Sequence, residues 1–164
     1  MKLPGSVLLL CLLAAMTAGC GFQLQGRADY APQLEKVYLQ VPDPNSDLAR
    51  QLRRSVEAAR VTLVPEPGQA TAVIVVDSEN YGTRVKSVSA QNRPTELEVF
   101  YTAEYRVRAG PEALVPGQRV TRTRIFTYDE TQVLAKQQEE LLLRESLARE
   151  IAGVITRRLA AVEP

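Results

Sequence analysis

The sequence lacks histidine and tryptophan altogether, and only two of its 164 residues are cysteine. Histidine is the most frequent general base and a common transition-metal ligand, so its absence excludes the usual designs of acid–base and metal-dependent active sites. The chain also contains no G-x-S-x-G elbow, no phosphate-binding loop and no H-E-x-x-H motif. We therefore expect a protein that is not an enzyme, with no catalytic residues, no metal and no cofactor.

The apolar run at the start of the chain is too short for a permanent membrane span. It covers residues 7–15, follows Lys2 and leads through the small residues Ala18 and Gly19 to Cys20. These features are typical of a cleavable secretory signal, and small residues directly before a cysteine resemble the lipobox of bacterial lipoproteins. The sequence therefore predicts a signal peptide at residues 1–19 and lipidation of Cys20.

The use of cysteine agrees with this interpretation. Cys11 lies within the apolar run and would leave with it, so Cys20 would be the only thiol of the mature chain and no internal disulfide would form. One acyl chain binds a membrane only marginally, whereas two or more anchor a protein firmly. Aspartate after the cysteine typically retains such proteins in the inner membrane. Because Gly21 stands there, we expect a lipid anchor in the outer membrane.

Neither sign of charge is in excess. Without Lys2 the chain carries 19 basic and 19 acidic residues, so we expect no basic field of the kind that nucleic-acid-binding domains present, and no nucleic-acid partner. The length that remains suits one domain with one hydrophobic core. We place this domain at residues 35–164, after a lipidated polar tether at residues 20–34.

Hydrophobic periodicity predicts six elements in the order β-α-β-β-β-α. Alternating apolar residues predict strands at 36–41, 72–89, 96–108 and 119–128, and helical spacing predicts helices at about 47–60 and 132–161. Glycine and proline at 110–111 and 116–117 predict a loop before the last strand. Two helices can cover one face of a four-stranded, largely antiparallel sheet. We therefore predict an α+β two-layer sandwich whose other sheet face is polar.

Two carboxylates on one strand are the best candidates for catalysis. Glu96 and Glu98 leave the same strand face about 6.6 Å apart, within the range of about 6.5–9.5 Å that an inverting glycosidase needs. The sequence supplies no apolar pocket or aromatic platform beside them, so we favour a solvated strand face over a lipid-anchored hydrolase.

Four arginines form a second group, with Arg106 and Arg108 on the third predicted strand and Arg122 and Arg124 on the fourth. If these strands pair, the guanidinium groups would line one polar face and bind phosphate or carboxylate. The alternative, which we favour, is that they form ordinary ion pairs with glutamates across the strands.

Three other basic residues have few acidic neighbours in the sequence. Lys86 and Arg93 flank the turn between the second and third strands, and Lys136 lies in the first turns of the last helix. A cation there opposes the helix dipole at a cost of about a few tenths of a kcal/mol, which favours a binding role for Lys136 only mildly. The alternative is that all three are solvated surface residues.

Two motifs and the element order resemble one known family. Residues 20–26, Cys-Gly-Phe-Gln-Leu-Gln-Gly, are similar to the C-G-F/W-x-L-R start of the lipopolysaccharide-assembly lipoproteins, the LptE family, although Gln25 replaces the usual arginine. Residues 129–136, Asp-Glu-Thr-Gln-Val-Leu-Ala-Lys, lead into a long terminal helix as they do in that family. The resemblance extends over nearly the whole mature chain.

This resemblance implies a non-enzymatic plug inside the LptD outer-membrane β-barrel, which binds lipopolysaccharide and helps deliver it to the cell surface. The family's basic residue in the last helix falls on Lys136. Its other basic position falls near Gln91 and Asn92, where Arg93 is the nearest substitute; Lys86, beside the same turn, completes the expected lipopolysaccharide site. The alternative from another class is a generic outer-membrane lipoprotein that scaffolds envelope proteins without contacting lipopolysaccharide.

Replacing Cys20 tests the anchor. Cys20→Ala is expected to abolish acylation and to leave the protein poorly associated with membranes, because no other thiol remains in the mature chain. Mass spectrometry of the native N-terminus is the direct measurement. An unmodified cysteine, or cleavage at another position, would overturn the lipoprotein assignment.

Overall fold

The computed structural model describes residues 31–162, which form a five-stranded β-sheet and two α-helices. In chain order the elements are β1 (Lys36–Gln40), α1 (Asp47–Ala58), β2 (Thr62–Leu63), β3 (Ala72–Val88), β4 (Pro94–Ala109), β5 (Glu112–Thr127) and α2 (Val133–Leu159). Short 3-10 turns lie at Pro32–Leu34, Pro67–Gln69 and Glu130–Gln132. Both helices pack on the same face of the sheet, so the predicted two-layer α+β sandwich is confirmed.

The sheet has one strand more than the four that the sequence predicted. Its order is β2-β1-β3-β4-β5; β1 pairs in parallel with β2 and β3, and the last three strands form an antiparallel meander. The additional strand, β2, has only two residues, which pair with Lys36 and Val37. Two residues are too few to show an alternating pattern, so β2 was invisible to periodicity.

The loop predicted at residues 110–117 is wrong, because β5 begins directly after a tight turn at Gly110. This glycine has a φ of +56°, in the left-handed region that glycine adopts without strain. Pro116 and Gly117 lie inside β5, where the pairing with β4 shifts between Val115 and Gln118. β5 is an edge strand, and edge strands and bulges are where a sheet tolerates proline.

Residues just before the predicted start of the domain also pack against it. Ala31 and Leu34, which the sequence analysis assigned to the tether, are 4% and 0% exposed, so the last part of the expected tether packs on the domain. The predicted signal peptide, Cys20 and the rest of the tether lie outside the described residues.

Alternation and helical spacing place the core as the sequence predicted. Ser46 caps α1 by accepting a hydrogen bond from the Ala49 amide at 3.1 Å, and an apolar stripe of α1 is buried. Every second side chain of β4 from Val99 to Val107 is buried under the helices. The buried column of α2 consists of Leu147, Ala148, Ile151, Ala152, Ile155 and Leu159.

Most of this core lies in one half of the sandwich, and Val99, Tyr101 and Phe126 extend it into the other half. β1 pairs with β3 no further than Val75, and α1 has 12 residues against 27 in α2. The remaining parts, residues 77–88 of β3 and 133–146 of α2 with the facing parts of β4 and β5, are here called the distal half. In the described chain, residues 77–88 pair with β4 alone, so one edge of β3 is open there.

Two substitutions on α2 test the assignment of its buried face. Leu147→Ala is expected to lower the free energy of unfolding by about 2–5 kcal/mol, because the side chain is fully buried and its loss leaves a cavity. Arg149→Ala, two residues away with its side chain 62% exposed, should cost less than about 0.5 kcal/mol. Equal losses in chemical denaturation would mean that the helix face is assigned wrongly.

Candidate functional site

The distal half carries the exposed apolar surface of the domain. Among the side chains that the structure describes, seven large hydrophobic residues are exposed, and all of them lie in this half. They are Tyr81, Val85, Val88, Ile125, Leu134, Leu141 and Leu142. Single exposed apolar residues are ordinary, but their concentration in one half of a domain is typical of an interaction surface.

Polar contacts join α2 to the distal half of the sheet, in addition to packing over the buried side chains of Val99 and Phe126. The Thr83 hydroxyl donates a hydrogen bond to Glu140, and Arg144 lies with its guanidinium carbon 4.7 Å from the ring centre of Tyr81. Arg144 also donates from Nε to Asp47 of α1 at 2.7 Å. Glu140 and Arg144 lie four residues apart on α2, and both side chains bind residues of other elements.

A buried tyrosine continues this network into the sheet. Tyr101 is fully buried, stacks on Tyr81 with ring centres 5.4 Å apart, and donates its hydroxyl to Glu79 at 2.8 Å. Burial and the adjacent Glu79 carboxylate raise the pKa of Tyr101 far above its ordinary value. The hydroxyl therefore stays a neutral donor at physiological pH, which suits a structural role.

Lys136 lies on the helix-covered side of the sheet, at the end that contains the β3–β4 turn. Its side chain is 19% exposed; the amine is 2.9 Å from Glu139 and 5.8 Å from the ring centre of Phe126. It lines a cavity of about 190 Å³ together with Leu97, Phe126, Tyr128, Gln137 and Glu140. The sequence analysis overlooked Glu139, although its position three residues after the lysine already indicated the pair.

Lys86 and Arg93 lie at the same end of the sheet. The Lys86 amine is 3.9 Å from Glu98, whose carboxylate also binds Arg84 on the face that carries no helix. Arg93 lies in the β3–β4 turn, where its amide donates to the Ser89 hydroxyl and its carbonyl accepts from the Ser89 amide. The sheet therefore separates Lys86 from Lys136, with the turn of Arg93 between them. The three residues share an end of the domain but do not form one cluster.

The four arginines do not line one face of the sheet, as the hypothesis of a phosphate- or carboxylate-binding face required. Arg122 and Arg124 pair with Tyr101 and Val99 of β4, so they point toward α2, where both contact Glu150. Arg106 and Arg108 alternate with buried residues of β4 and point to the opposite face. Arg106 forms an ion pair across strands, as in the favoured alternative, but its partner is Asp77 of β3 at 2.9 Å and not a glutamate.

Glu96 and Glu98 are both engaged by neighbouring side chains. Glu98 is buried, with its side chain 7% exposed, and binds Arg84 and Lys86. Glu96 accepts a hydrogen bond from the Ser87 hydroxyl at 2.7 Å. The prediction of a fully solvated strand face was wrong for Glu98: its carboxylate closes a cross-strand ion pair, the arrangement expected of a structural residue.

Two further properties concern only the residues that the structure describes. None of their helices combines the length and the apolar character that crossing a membrane requires. Residues 31–162 also contain no group of three acidic or cysteine side chains placed to hold a metal ion.

The fold defines a class of small α+β domains that occurs in bacterial lipoproteins. An uncharacterized lipoprotein B from Nitrosomonas europaea is similar with a TM-score of 0.71 and 26% identity, over 86% of this chain and 91% of that one. The rare lipoprotein B from Shewanella oneidensis has a TM-score of 0.67 over 77% of this chain and 94% of its own; at 20% identity it supports the fold alone.

Sequence comparison narrows this class to one family. Residues 34–159 match the model of the lipopolysaccharide-assembly family LptE. The LPS-assembly lipoprotein LptE of Yersinia enterocolitica is 31% identical over an alignment of 169 residues, which covers 95% of this chain and 75% of the relative. The chain therefore belongs to the LptE family, as its start motif and element order indicated.

Proposed function

We propose that this chain is an outer-membrane lipoprotein that occupies the lumen of an LptD-type β-barrel and binds lipopolysaccharide on its way to the cell surface. The observation that carries the proposal is the restriction of exposed apolar side chains to the distal half, in a chain of the lipopolysaccharide-assembly family. A domain whose exposed large apolar side chains are confined to one half is suited to a partner that covers that half.

The face without helices supports the location in a barrel. The lumen of a large outer-membrane barrel is polar and wet. On this face several charges are paired within the domain, as in Arg84 with Glu98 and Arg119 with Glu104. Such a surface tolerates a water-filled lumen, and the family relationship suggests no catalytic role for it.

Lipopolysaccharide is the proposed ligand of the end that contains the β3–β4 turn. Its phosphates and acidic sugars are ligands for lysine and arginine. Lys136, Arg93 and Lys86 are all at this end, on the two faces and the turn. Because the sheet separates the two lysines, we propose that the ligand contacts them from the turn end rather than within one pocket.

Charge reversal at two of these residues tests lipopolysaccharide binding. The double variant Lys136→Glu and Arg93→Glu is expected to weaken lipopolysaccharide binding by the full-length lipoprotein at least about tenfold, since a charge-assisted hydrogen bond contributes about 1.5–3 kcal/mol. The loss should be larger at low salt, because screening is weaker there.

The matched control is the double variant Arg149→Glu and Arg157→Glu, which makes the same change in net charge at two exposed residues of the other half of α2. Circular dichroism checks that both variants fold. Wild-type affinity of the Lys136/Arg93 variant at low salt would remove these residues from the site, and loss of barrel association would move them to the protein interface.

Two apolar residues of the distal half test the barrel partnership. The variant Val85→Asp with Leu134→Asp should reduce co-purification with the barrel at one-to-one stoichiometry, because covering an apolar side chain contributes about 1.5–3 kcal/mol. Both side chains are more than half exposed, at 53% and 80%, so the fold should be unaffected. Arg54→Asp, on exposed α1 surface of the covered half, is the control. An unchanged yield of complex would remove these two residues from the barrel interface, whereas failure of the wild type to co-purify with the barrel would favour the generic scaffold.

A further inference from the structure

Lys136 has two partners in the domain. Its amine lies 5.8 Å from the ring centre of Phe126, a distance at which the ring attracts a cation. The amine also contacts the Glu139 carboxylate at 2.9 Å. The exposed fraction is 19% for the lysine side chain and 43% for the glutamate. An anion that approaches Lys136 from solvent therefore encounters the Glu139 carboxylate already in contact with the lysine amine.

Two other carboxylates that the structure describes near Lys136 accept hydrogen bonds from other residues. Glu140 accepts the hydrogen bond of Thr83 on β3. Asp129 accepts from the amide and hydroxyl of Thr131 at 2.9 and 2.8 Å, as the turn before α2 requires. Glu139 is thus the carboxylate that the structure places in hydrogen-bond contact with the amine, and this contact is its role in the domain.

We propose that the Glu139 carboxylate competes with the ligand for the Lys136 amine. An incoming phosphate group must displace Glu139 from the amine, and this competition makes the site selective for phosphate. This inference rests on the proposed function, since it concerns the same ligand. An ion pair between residues three apart on a helix is weak when, as here, one partner is well exposed to solvent, so a ligand can break it. A phosphate monoester carries nearly two charges and three acceptor oxygens, whereas a carboxylate carries one charge. A phosphate therefore replaces Glu139 readily, and a carboxylate sugar gains little by doing so.

The first test compares two glutamate-to-glutamine variants on α2. In the full-length lipoprotein, Glu139→Gln is expected to tighten the binding of purified lipopolysaccharide about two- to fivefold at low salt, the factor that corresponds to losing one exposed ion pair. Glu145→Gln is the matched control, because it makes the same charge change on the same helix and removes a pair with Arg149. We expect no change in the control. An equal gain in both variants would assign the effect to net charge and overturn the proposal.

A double-mutant cycle locates the effect at Lys136. In the Lys136→Met background, Glu139→Gln should give no further gain, because the two residues act through each other. With lipopolysaccharide whose phosphates have been removed, the gain should disappear even when Lys136 is present. A gain that persists in either case contradicts the proposal.

The cycle also separates this inference from the proposed function. If Lys136→Met weakens binding but Glu139→Gln gives no gain, the competitor role of Glu139 fails and the lipopolysaccharide site remains. If the Lys136→Met variant binds lipopolysaccharide as tightly as the wild type does, Lys136 is outside the site. Both the competitor role of Glu139 and the proposed site at Lys136 then fail. Glutamine is a good helix former, so α2 should keep its structure in the Glu139 variant, which circular dichroism checks.

Discussion

The length of α1 limits how far the hydrophobic core of this domain extends. At about 1.5 Å per residue, its 12 residues span about 18 Å, whereas the 27 residues of α2 span about 40 Å and the 17 residues of β3 more than about 50 Å. β1 is also short, and its pairing with β3 ends at Val75. Where α1 and β1 flank the sandwich, most of the core is buried between the layers. Beyond them burial narrows to residues such as Val99 and Phe126, and apolar residues such as Leu134 face solvent.

This mismatch divides the domain into a half that contains most of the apolar core and a distal half in which polar contacts supplement a few buried apolar side chains. In the covered half, Leu147 and Ile151 are fully buried, and their apolar contacts stabilise the fold. In the distal half, Arg144 on Tyr81 and Glu140 on Thr83 join α2 to the sheet. Partly exposed polar contacts contribute less than buried apolar ones, so local opening is expected to be easier in the distal half. Surfaces that adapt to a partner or a ligand typically lie in the less stable part of a domain. In this domain the distal half, which is expected to be less stable, also contains Lys136.

The sequence predicted the features that depend on periodicity within one element. The alternation of β4 and the buried column of α2 are local patterns, and both faces were assigned correctly. Features that depend on how elements meet were missed. The separation of Arg106 from Arg122 onto opposite faces depends on the β4–β5 register, which shifts where Pro116 lies inside β5. Likewise, the burial of Glu98 depends on Arg84 of a neighbouring strand, which no pattern within β4 contains. The candidate lysines were found from charge and family motif, but their separation by the sheet follows from the topology.

A chain with balanced charge can still bind an anion, because ion pairing differs from place to place in the domain. Arg106 with Asp77 and Arg119 with Glu104 pair across adjacent strands, where the sheet fixes both partners. At the turn end the pairing is looser. The Lys86 amine lies 3.9 Å from a carboxylate that Arg84 also binds, and Lys136 has a partly exposed partner three residues away on its own helix. A phosphate gains most where the existing partner is weak, since it needs to displace only that partner. Local geometry, rather than net charge, therefore favours the turn end as the place where an anionic glycolipid binds.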